Sequence, residues 1–374
     1  MSRKPLDYNL NTLIRQRTFS LSVFLKDPIL IISILSLLVF GIIMLYSASG
    51  QSEGMVLRQS VYIVLGLFIM IGLAQIHPSS YKHLLPNLYW IGLFLLIYVL
   101  IFPDESHLTK RWIDLGFMSF QPSEIVRLIL PLSIASFLTR KELNPSSSDW
   151  IISIAAVSLC SFLIFRQPDL GTALIVFMSG FLPIFLTGFP IFIILISVTL
   201  IGISSPILYN SLNPYMQQRI LTLFDPDSDP LGTGWNIEQS KIAIGSGGFF
   251  GKGYLEGTQS QLDFIPESHS DFIFAVIGEE LGLIGILFLF SLYALIIYRI
   301  FSIGYSSDTV FSRLVCCCIG FIFFIFLIIN ISMVIGIIPV VGVPLPLVSQ
   351  GGTSLVVHLI AFGFVLSMKK RSDW

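Results

Sequence analysis

His269, Ser270 and Asp271 stand where a glycine-rich, water-compatible loop gives way to an apolar helix, inside the stretch from Gln239 to Gly282. An aspartate at the mouth of an apolar run can cap the helix by accepting bonds from its first free N–H groups, with Ser270 able to serve instead. It can also act as general base for an attacking hydroxyl. The residues alone fit both roles. Two further acids, Glu279 and Glu280, follow about two turns into what should be a membrane span, where each carboxylate costs roughly 2.5 kcal/mol or more unless it meets a partner or a polar cavity. Glu279 lies near the same helix face as Asp271, and Glu280 is turned about 100° away. Upstream, Glu267 and His269 read as loop residues close enough to support a site.

Other chemistry-bearing residues recur at the ends of apolar runs. Arg111 precedes Trp112-Ile113-Asp114, and Gln121-Pro122-Ser123-Glu124 opens a helix with proline at its first position. Glu124 and Arg127 are one turn apart, spaced for an ion pair. Asp169, between Gln167-Pro168 and Gly171-Thr172, is again an acid at a helix start, either cap or site. The proline-rich run from Pro339 to Pro346 and the polar Ser349-Gln350-Gly351-Gly352-Thr353-Ser354 cannot form one continuous helix. Such backbone is tolerated at membrane depth only against protein or a wet cavity. Together these residues predict one polar cavity at the outer ends of several spans.

Two tempting sites fail. The run Gly245 to Gly253 resembles a phosphate loop, but Ser246 stands where the pattern needs glycine and Gly253 where it needs Ser or Thr, so no nucleotide site follows. Its glycines still permit close backbone approach, and Lys252 could meet a lipid pyrophosphate; a plain turn fits equally. Cys160, Cys316, Cys317 and Cys318 lie in apolar stretches without a CxxC pair and read as small apolar fillers.

The scaffold that must position these groups is legible in composition. The 374 residues are 54% hydrophobic and only 11% charged, with a mean hydropathy of +0.86. Soluble chains carry about 25% charged residues, so this is an all-α polytopic membrane protein. No basic patch points to nucleic acid. Ten apolar runs are candidate spans: 28–48, 57–76, 83–102, 122–139, 150–165, 170–187, 190–209, 272–299, 312–334 and 353–369. The first is too long for a signal-peptide core and is expected to stay uncleaved. The fifth and sixth are short, divided by Arg166-Gln167-Pro168-Asp169, and a single re-entrant unit is the alternative.

Ten spans place both termini on one side. Arg3, Lys4, Arg15, Arg17, Lys26, Lys82, Arg140, Lys141, Arg299, Arg313, Lys369, Lys370 and Arg371 then fall inside, and the outer loops hold far fewer basic residues per length. By the positive-inside rule both termini are cytoplasmic. Residues 1–27 form a cytoplasmic segment and 210–271 a large outer loop between spans seven and eight, within a single domain spanning 1–374. That loop is too long to be structureless. Trp235, Ile237, Lys241 and Ile244 predict a short amphipathic helix lying in the interface. The stretch Asp225 to Pro230 reads as a solvated acidic turn.

The motifs RWIDLGFMSFQPSE, QPDLGTA, QSKIAIGSGGFFGKGYLEGTQSQLDFIPESHSDFIFAVIGEELG and GIIPVVGVPLPLVSQGGTS, in this order, resemble those of the SEDS family (shape, elongation, division and sporulation) of bacterial peptidoglycan glycosyltransferases. The wording from Gly251 to Glu267 is closer to the family's rod-shape branch than to its division branch. The resemblance covers the chain from the first span onward. It implies ten spans in the bacterial cytoplasmic membrane, polymerisation of lipid II (undecaprenyl-pyrophosphate disaccharide-pentapeptide), and a class B penicillin-binding protein as transpeptidase partner. The family's essential aspartate falls on Asp271, and two further motif acids fall on Glu124 and Asp169. Ser270 replaces the usual Thr and keeps its hydroxyl, Arg127 stands where Lys is usual, and Gln350 replaces a Tyr.

The expected chemistry is attack of a GlcNAc 4-hydroxyl on the anomeric carbon of the growing chain, with Asp271 as base and undecaprenyl pyrophosphate leaving. An ordinary aspartate, with a pKa of about 3.9, is a weak base whose help comes late in the transition state. Arg111, Arg219, Lys241 and Lys252 are candidates for the leaving pyrophosphate, with a divalent cation (Mg²⁺ or Mn²⁺) as helper. Glu124, Arg127, Asp169, Glu267, His269, Ser349 and Gln350 are supporting candidates. A lipid II flippase is the alternative, since buried acids and broken helices also mark transport paths; a non-catalytic scaffold of the wall-synthesis complex is the other.

Overall fold

The computed structural model describes residues 26–102, 111–114, 119–141, 145–212, 214–224, 233–262 and 264–369. The basic residues of segment 1–25, the acidic turn at 225–230, Lys370 and Arg371 lie outside the described residues. Ten long helices coincide with the ten apolar runs: α1 Pro28–Ala48, α2 Glu53–Ala74, α3 Pro78–Ile101, α4 Pro122–Leu138, α5 Ser147–Phe165, α6 Leu170–Leu186, α7 Ile191–Asn210, α11 Ile273–Ser306, α12 Val310–Val334 and α13 Gly352–Met368. Six of them (α1, α2, α3, α5, α11 and α12) are long and apolar enough to cross a membrane; α6, the apolar part of α7 and α13 are shorter. The chain is an integral membrane protein. Between α3 and α4 a two-residue antiparallel ladder, β1 Ile113–Asp114 with β2 Ser119–Phe120, is the one departure from an all-helical chain among the described residues. The polar knot at 166–169 is a turn joining α5 and α6, which pack together with Val157 against Gly180.

One buried carboxylate fastens one end of the bundle. Asp27 caps α1 through Leu30 N. It also receives Arg299 Nη2 at 2.5 Å and Lys369 Nζ at 3.1 Å, binding the ends of α11 and α13 to the start of α1. Lys26, bonded to Ala74 O, and Lys82, bonded to Thr139 O, lie at the ends of neighbouring helices. Among the described residues, Lys26, Arg299 and Lys369 thus meet at Asp27.

Counting from that end gives a depth scale. Ser47 on α1 and Glu280 on α11 are bonded at 2.5 Å. They lie twenty residues from Asp27 and nineteen from Arg299 respectively, so each helix runs about 30 Å between the two contacts at 1.5 Å per residue, the thickness of a hydrocarbon core. Glu279 and Glu280 therefore lie about one hydrocarbon thickness from the Asp27 end of the bundle. The first part of α11, Ile273 to Ile277, stands beyond that level and is wrapped by protein.

Gly282, at φ +62 and ψ −158, breaks α11 just after the two acids. The glycine-rich loop fills the break. Lys252 N and Gly253 N donate to Glu279 O and Glu280 O, and Leu283 N and Ile284 N donate to Gly248 O and Phe249 O. A Cβ on Gly251 would lie 2.0 Å from Glu280 O. The glycines serve close approach to a broken helix, which is why they mimic a phosphate loop without being one.

The long segment between α7 and α11 is mostly helical among its described residues: α8 Pro214–Phe224, α9 Thr233–Ser246 and the single turn α10 Thr258–Gln261. The helix expected around Trp235 exists as α9, but it packs on protein rather than lying free in the interface. Ile237 and Ala243 are buried, Ile244 meets Gly278 of α11, and Lys241 stays exposed.

Candidate active site

A cavity of about 490 Å³ opens at the end of the bundle away from Asp27. Segments far apart in sequence converge on it: the start of α2, the loop before α4 with the first turns of α4, the start of α6, α8, Ser270-Asp271, Phe326 of α12, the irregular segment 341–344, and Gln350-Gly351 with the first turn of α13. The irregular backbone meets the condition expected of it. Tyr293 Oη donates to Pro346 O at 2.6 Å, Leu345 N to Ser349 Oγ at 2.8 Å, and Asn330 Nδ2 to Val343 O at 2.7 Å.

Asp271 lines the cavity, and its carboxylate caps no helix: Phe272 is the N-cap of α11, without a side-chain bond. The backbone holds it instead, Asp271 O accepting from Asn330 Nδ2 at 2.8 Å. Gly342, at φ +77, presents bare backbone to Oδ2, and even a Cβ there would lie only 3.5 Å away. Burial pushes the Asp271 carboxyl up to about 6, the Glu267 charge adds to the rise, and Arg219 opposes it. The Asp271 carboxylate is therefore more basic than that of the ordinary aspartate assumed from sequence.

Glu124 and Arg127 both line the cavity, but they do not form the direct ion pair their spacing suggested. Thr353 Oγ1 donates to Glu124 Oε2, and Arg127 Nη2 donates to Ser354 Oγ at 2.9 Å. Each thus reaches across to the first turn of α13 rather than along α4. Arg127 also lies over the ring of Phe326, 4.2 Å from its centroid. Asp169 takes the cap role and also lines the cavity: Oδ1 caps α6 through Thr172 N, and Oδ2 lies 3.5 Å from Arg111 Nη1. Arg111 further binds the carbonyls of Gln167 and Pro168, which fixes the turn between α5 and α6 at the cavity wall.

Gln350 and Arg219 also line the cavity. Other candidates do not. Lys252 Nζ is 2.7 Å from Glu279 Oε1 and is committed to that pair, whose carboxylate also accepts Gln259 N at 2.9 Å and Ser260 N at 3.2 Å. Lys241 is exposed on α9, outside the cavity lining. Glu267 accepts Ser270 Oγ at 2.6 Å, and His269 contributes its carbonyl to Gln350 N at 3.0 Å. Ser349 supports the wall through Leu345 N. Arg58, Gln59 and Tyr62 at the start of α2 were missed. Their signal was present: Arg58-Gln59 interrupts an otherwise apolar run, and buried Gln59 donates to Ser349 O at 3.1 Å. Among the described residues no three His, Cys, Asp or Glu side chains come together as metal ligands.

The same geometry has relatives. Peptidoglycan glycosyltransferase MrdB of Escherichia coli (strain K12) is 47% identical over 343 residues, covering 91% of this chain and 93% of that protein. The probable peptidoglycan glycosyltransferase FtsW of Buchnera aphidicola subsp. Schizaphis graminum is 37% identical, covering 83% and 88%. The rod shape determining protein RodA of Thermus thermophilus superposes with a TM-score of 0.69 at 27% identity, over 91% of this chain and 95% of that one. A chain from a peptidoglycan synthase complex that coordinates polymerization and crosslinking superposes with a TM-score of 0.79 at 29% identity, over 91% and 96%. Residues 28–373, which include every wall of the cavity, match the cell cycle protein profile that unites FtsW, RodA and SpoVE. The chain belongs to that family of cell cycle proteins.

Proposed function

We propose that this chain is a peptidoglycan glycosyltransferase that polymerises lipid II at the outer face of the bacterial cytoplasmic membrane during cell elongation. The observation that carries the reading is Asp271: an uncapped carboxylate, pushed up to about 6, at the wall of a cavity walled by arginines. In the reaction the GlcNAc 4-hydroxyl oxygen of one lipid II bonds to the anomeric carbon of the growing chain. The bond from that carbon to the pyrophosphate oxygen breaks, and its electron pair leaves with undecaprenyl pyrophosphate. The hydroxyl proton passes to an Asp271 oxygen. Positioning of both reactants in one cavity supplies much of the acceleration.

The leaving group acquires negative charge, and the cavity offers Arg58, Arg111, Arg127 and Arg219 to meet it. Lys241 and Lys252 drop out of that role, the first by position and the second by its bond to Glu279. A divalent cation remains part of the proposal only as an ion held through the substrate's phosphates with one or two carboxylates, since no cage of three His, Cys, Asp or Glu side chains is built among the described residues. Its chemistry would be to neutralise the pyrophosphate.

The cation-rich end around Asp27 supports cytoplasmic termini and an outward-facing cavity. The relative from a peptidoglycan synthase complex supports a crosslinking partner, which we assign as a class B penicillin-binding protein. Arg219→Gln is expected to raise the half-saturating lipid II concentration about tenfold, as for loss of a charged hydrogen bond, whereas Lys241→Gln should stay within about twofold. Steady-state kinetics of the two purified variants checks the contrast; equal effects would return the lysine to the site. The reading itself is tested by labelled lipid II and purified protein. Chains made in detergent support it, and lipid movement that requires a sealed vesicle, without chains, would make the protein a transporter.

A further inference from the structure

His358 lies on α13 one turn below Ser354, fully enclosed by apolar side chains, and plays no part in the chemistry above. Its Nδ1 is 2.7 Å from Ser354 O. A carbonyl only accepts, so Nδ1 carries the proton and Nε2 is left as an acceptor. Nε2 has no hydrogen-bond partner among the described residues. It belongs to a ring that borders a small void of about 10 Å³, lined otherwise by apolar groups such as Leu128, Ile319 and Ala361. A leucine would fill this place without an unpaired nitrogen, so what histidine adds is the N–H and the edge of its ring.

Both additions reach the groups that hold Arg127. The N–H is bound to the carbonyl of Ser354, whose hydroxyl receives Arg127 Nη2. The ring meets Phe326 edge-on, centroids 5.4 Å apart at 78°, and Phe326 carries the Arg127 guanidinium on its face. The first turn of α13 needs such a tie. Its N-cap, Gly351, makes no side-chain cap bond, yet that turn holds Glu124 through Thr353 as well as Arg127 through Ser354.

We propose that His358 is a positioning residue for Arg127: it pins the first turn of α13 and the Phe326 ring so that the one arginine buried in the cavity wall faces substrate. The proposal rests on the cavity being the lipid II site. His358→Leu is expected to raise the half-saturating lipid II concentration about tenfold, the scale of one hydrogen bond to a charged network, with turnover within about twofold. His358→Asn, whose amide nitrogen overlays Nδ1, should restore most of the lost affinity. In an Arg127→Gln background, His358→Leu should add almost nothing, because the residue through which it acts is already gone.

The experiment is a double-mutant cycle on the full chain in nanodiscs, reading both kinetics and binding of undecaprenyl pyrophosphate, with thermal unfolding of every variant. Multiplicative effects of the two substitutions, or equal losses in His358→Leu and His358→Asn, would overturn the proposal. If Arg127→Gln does not fold, the Leu and Asn variants decide alone by recovery or its absence. Wild-type protein that binds the pyrophosphate lipid but makes no chains would refute the enzymatic reading while leaving the binding cycle to judge His358.

Discussion

Asp271→Asn is expected to lower glycan polymerisation by about a hundred- to ten-thousandfold, the range for a removed general base, while the protein stays folded and binds lipid II. The pH profile carries a second signature. The working form of Asp271 is the carboxylate, and burial beside Glu267 pushes it up to about 6. As pH falls through that value the proton occupies the base, so kcat/KM should drop about tenfold per unit below it and level off above it. An aspartate acting only as a helix cap would show no limb there. The linkage sign gives a third readout. A carboxyl whose pKa is higher in the folded than in the unfolded protein favours folding fully only below the unfolded value. That contribution is lost as pH rises through about 6. At pH 7.5 the uncharged asparagine should therefore leave the protein as stable as wild type or more so. Loss of activity accompanied by loss of fold would speak for a structural aspartate.

Glu279→Ala should show the opposite pattern. This carboxylate is fully buried, paired with Lys252 and bonded to the N–H groups that open α10. Its removal leaves those donors unpaired and frees the loop that fills the α11 break, a loss of about 2–4 kcal/mol by the cost of breaking a buried network from one side. Lys252, partly exposed, can turn to water, which keeps the loss at the lower end. Thermal unfolding in detergent should fall clearly, with any residual folded fraction keeping its pH limb near 6. A variant as stable as wild type but inactive would move Glu279 from the staple to the chemistry. Asp271 and Glu279, eight residues apart, thus differ in setting: the first lines the cavity, the second is buried in a bonded knot.

What the sequence made legible follows from where its signals are local. Apolar runs set the helices to within a few residues, because each is continuous and bounded by Pro, Gly or charge; Pro122 marks a start that the structure keeps. The convergence of Asp271, Glu124, Arg127, Asp169 and Gln350 on one cavity was also readable, from polar residues at the ends of several spans. Partners across helices were not. The i, i+3 spacing of Glu124 and Arg127 predicted a pair along one helix, whereas Thr353 and Ser354, more than 220 positions later, take both. The contacts of the two buried acids were equally hidden: Ser47, more than 230 positions earlier, bonds Glu280, and Gly282 breaks the helix just after them. The lysines at 241 and 252 carry the right charge, but the fold of the outer loop, set by contacts with α11, turns one outward and closes the other on Glu279.

The central claim is that the carboxylate of Asp271 removes a proton from a sugar hydroxyl in this cavity. The most direct measurement is a gel of products from labelled lipid II incubated in detergent with purified wild-type protein or with Asp271→Ala, at pH 7.5 and with binding of lipid II measured in parallel. The account predicts a ladder of glycan chains from the wild type, none from the variant, and equal binding by both. A ladder from the Asp271→Ala protein would contradict it.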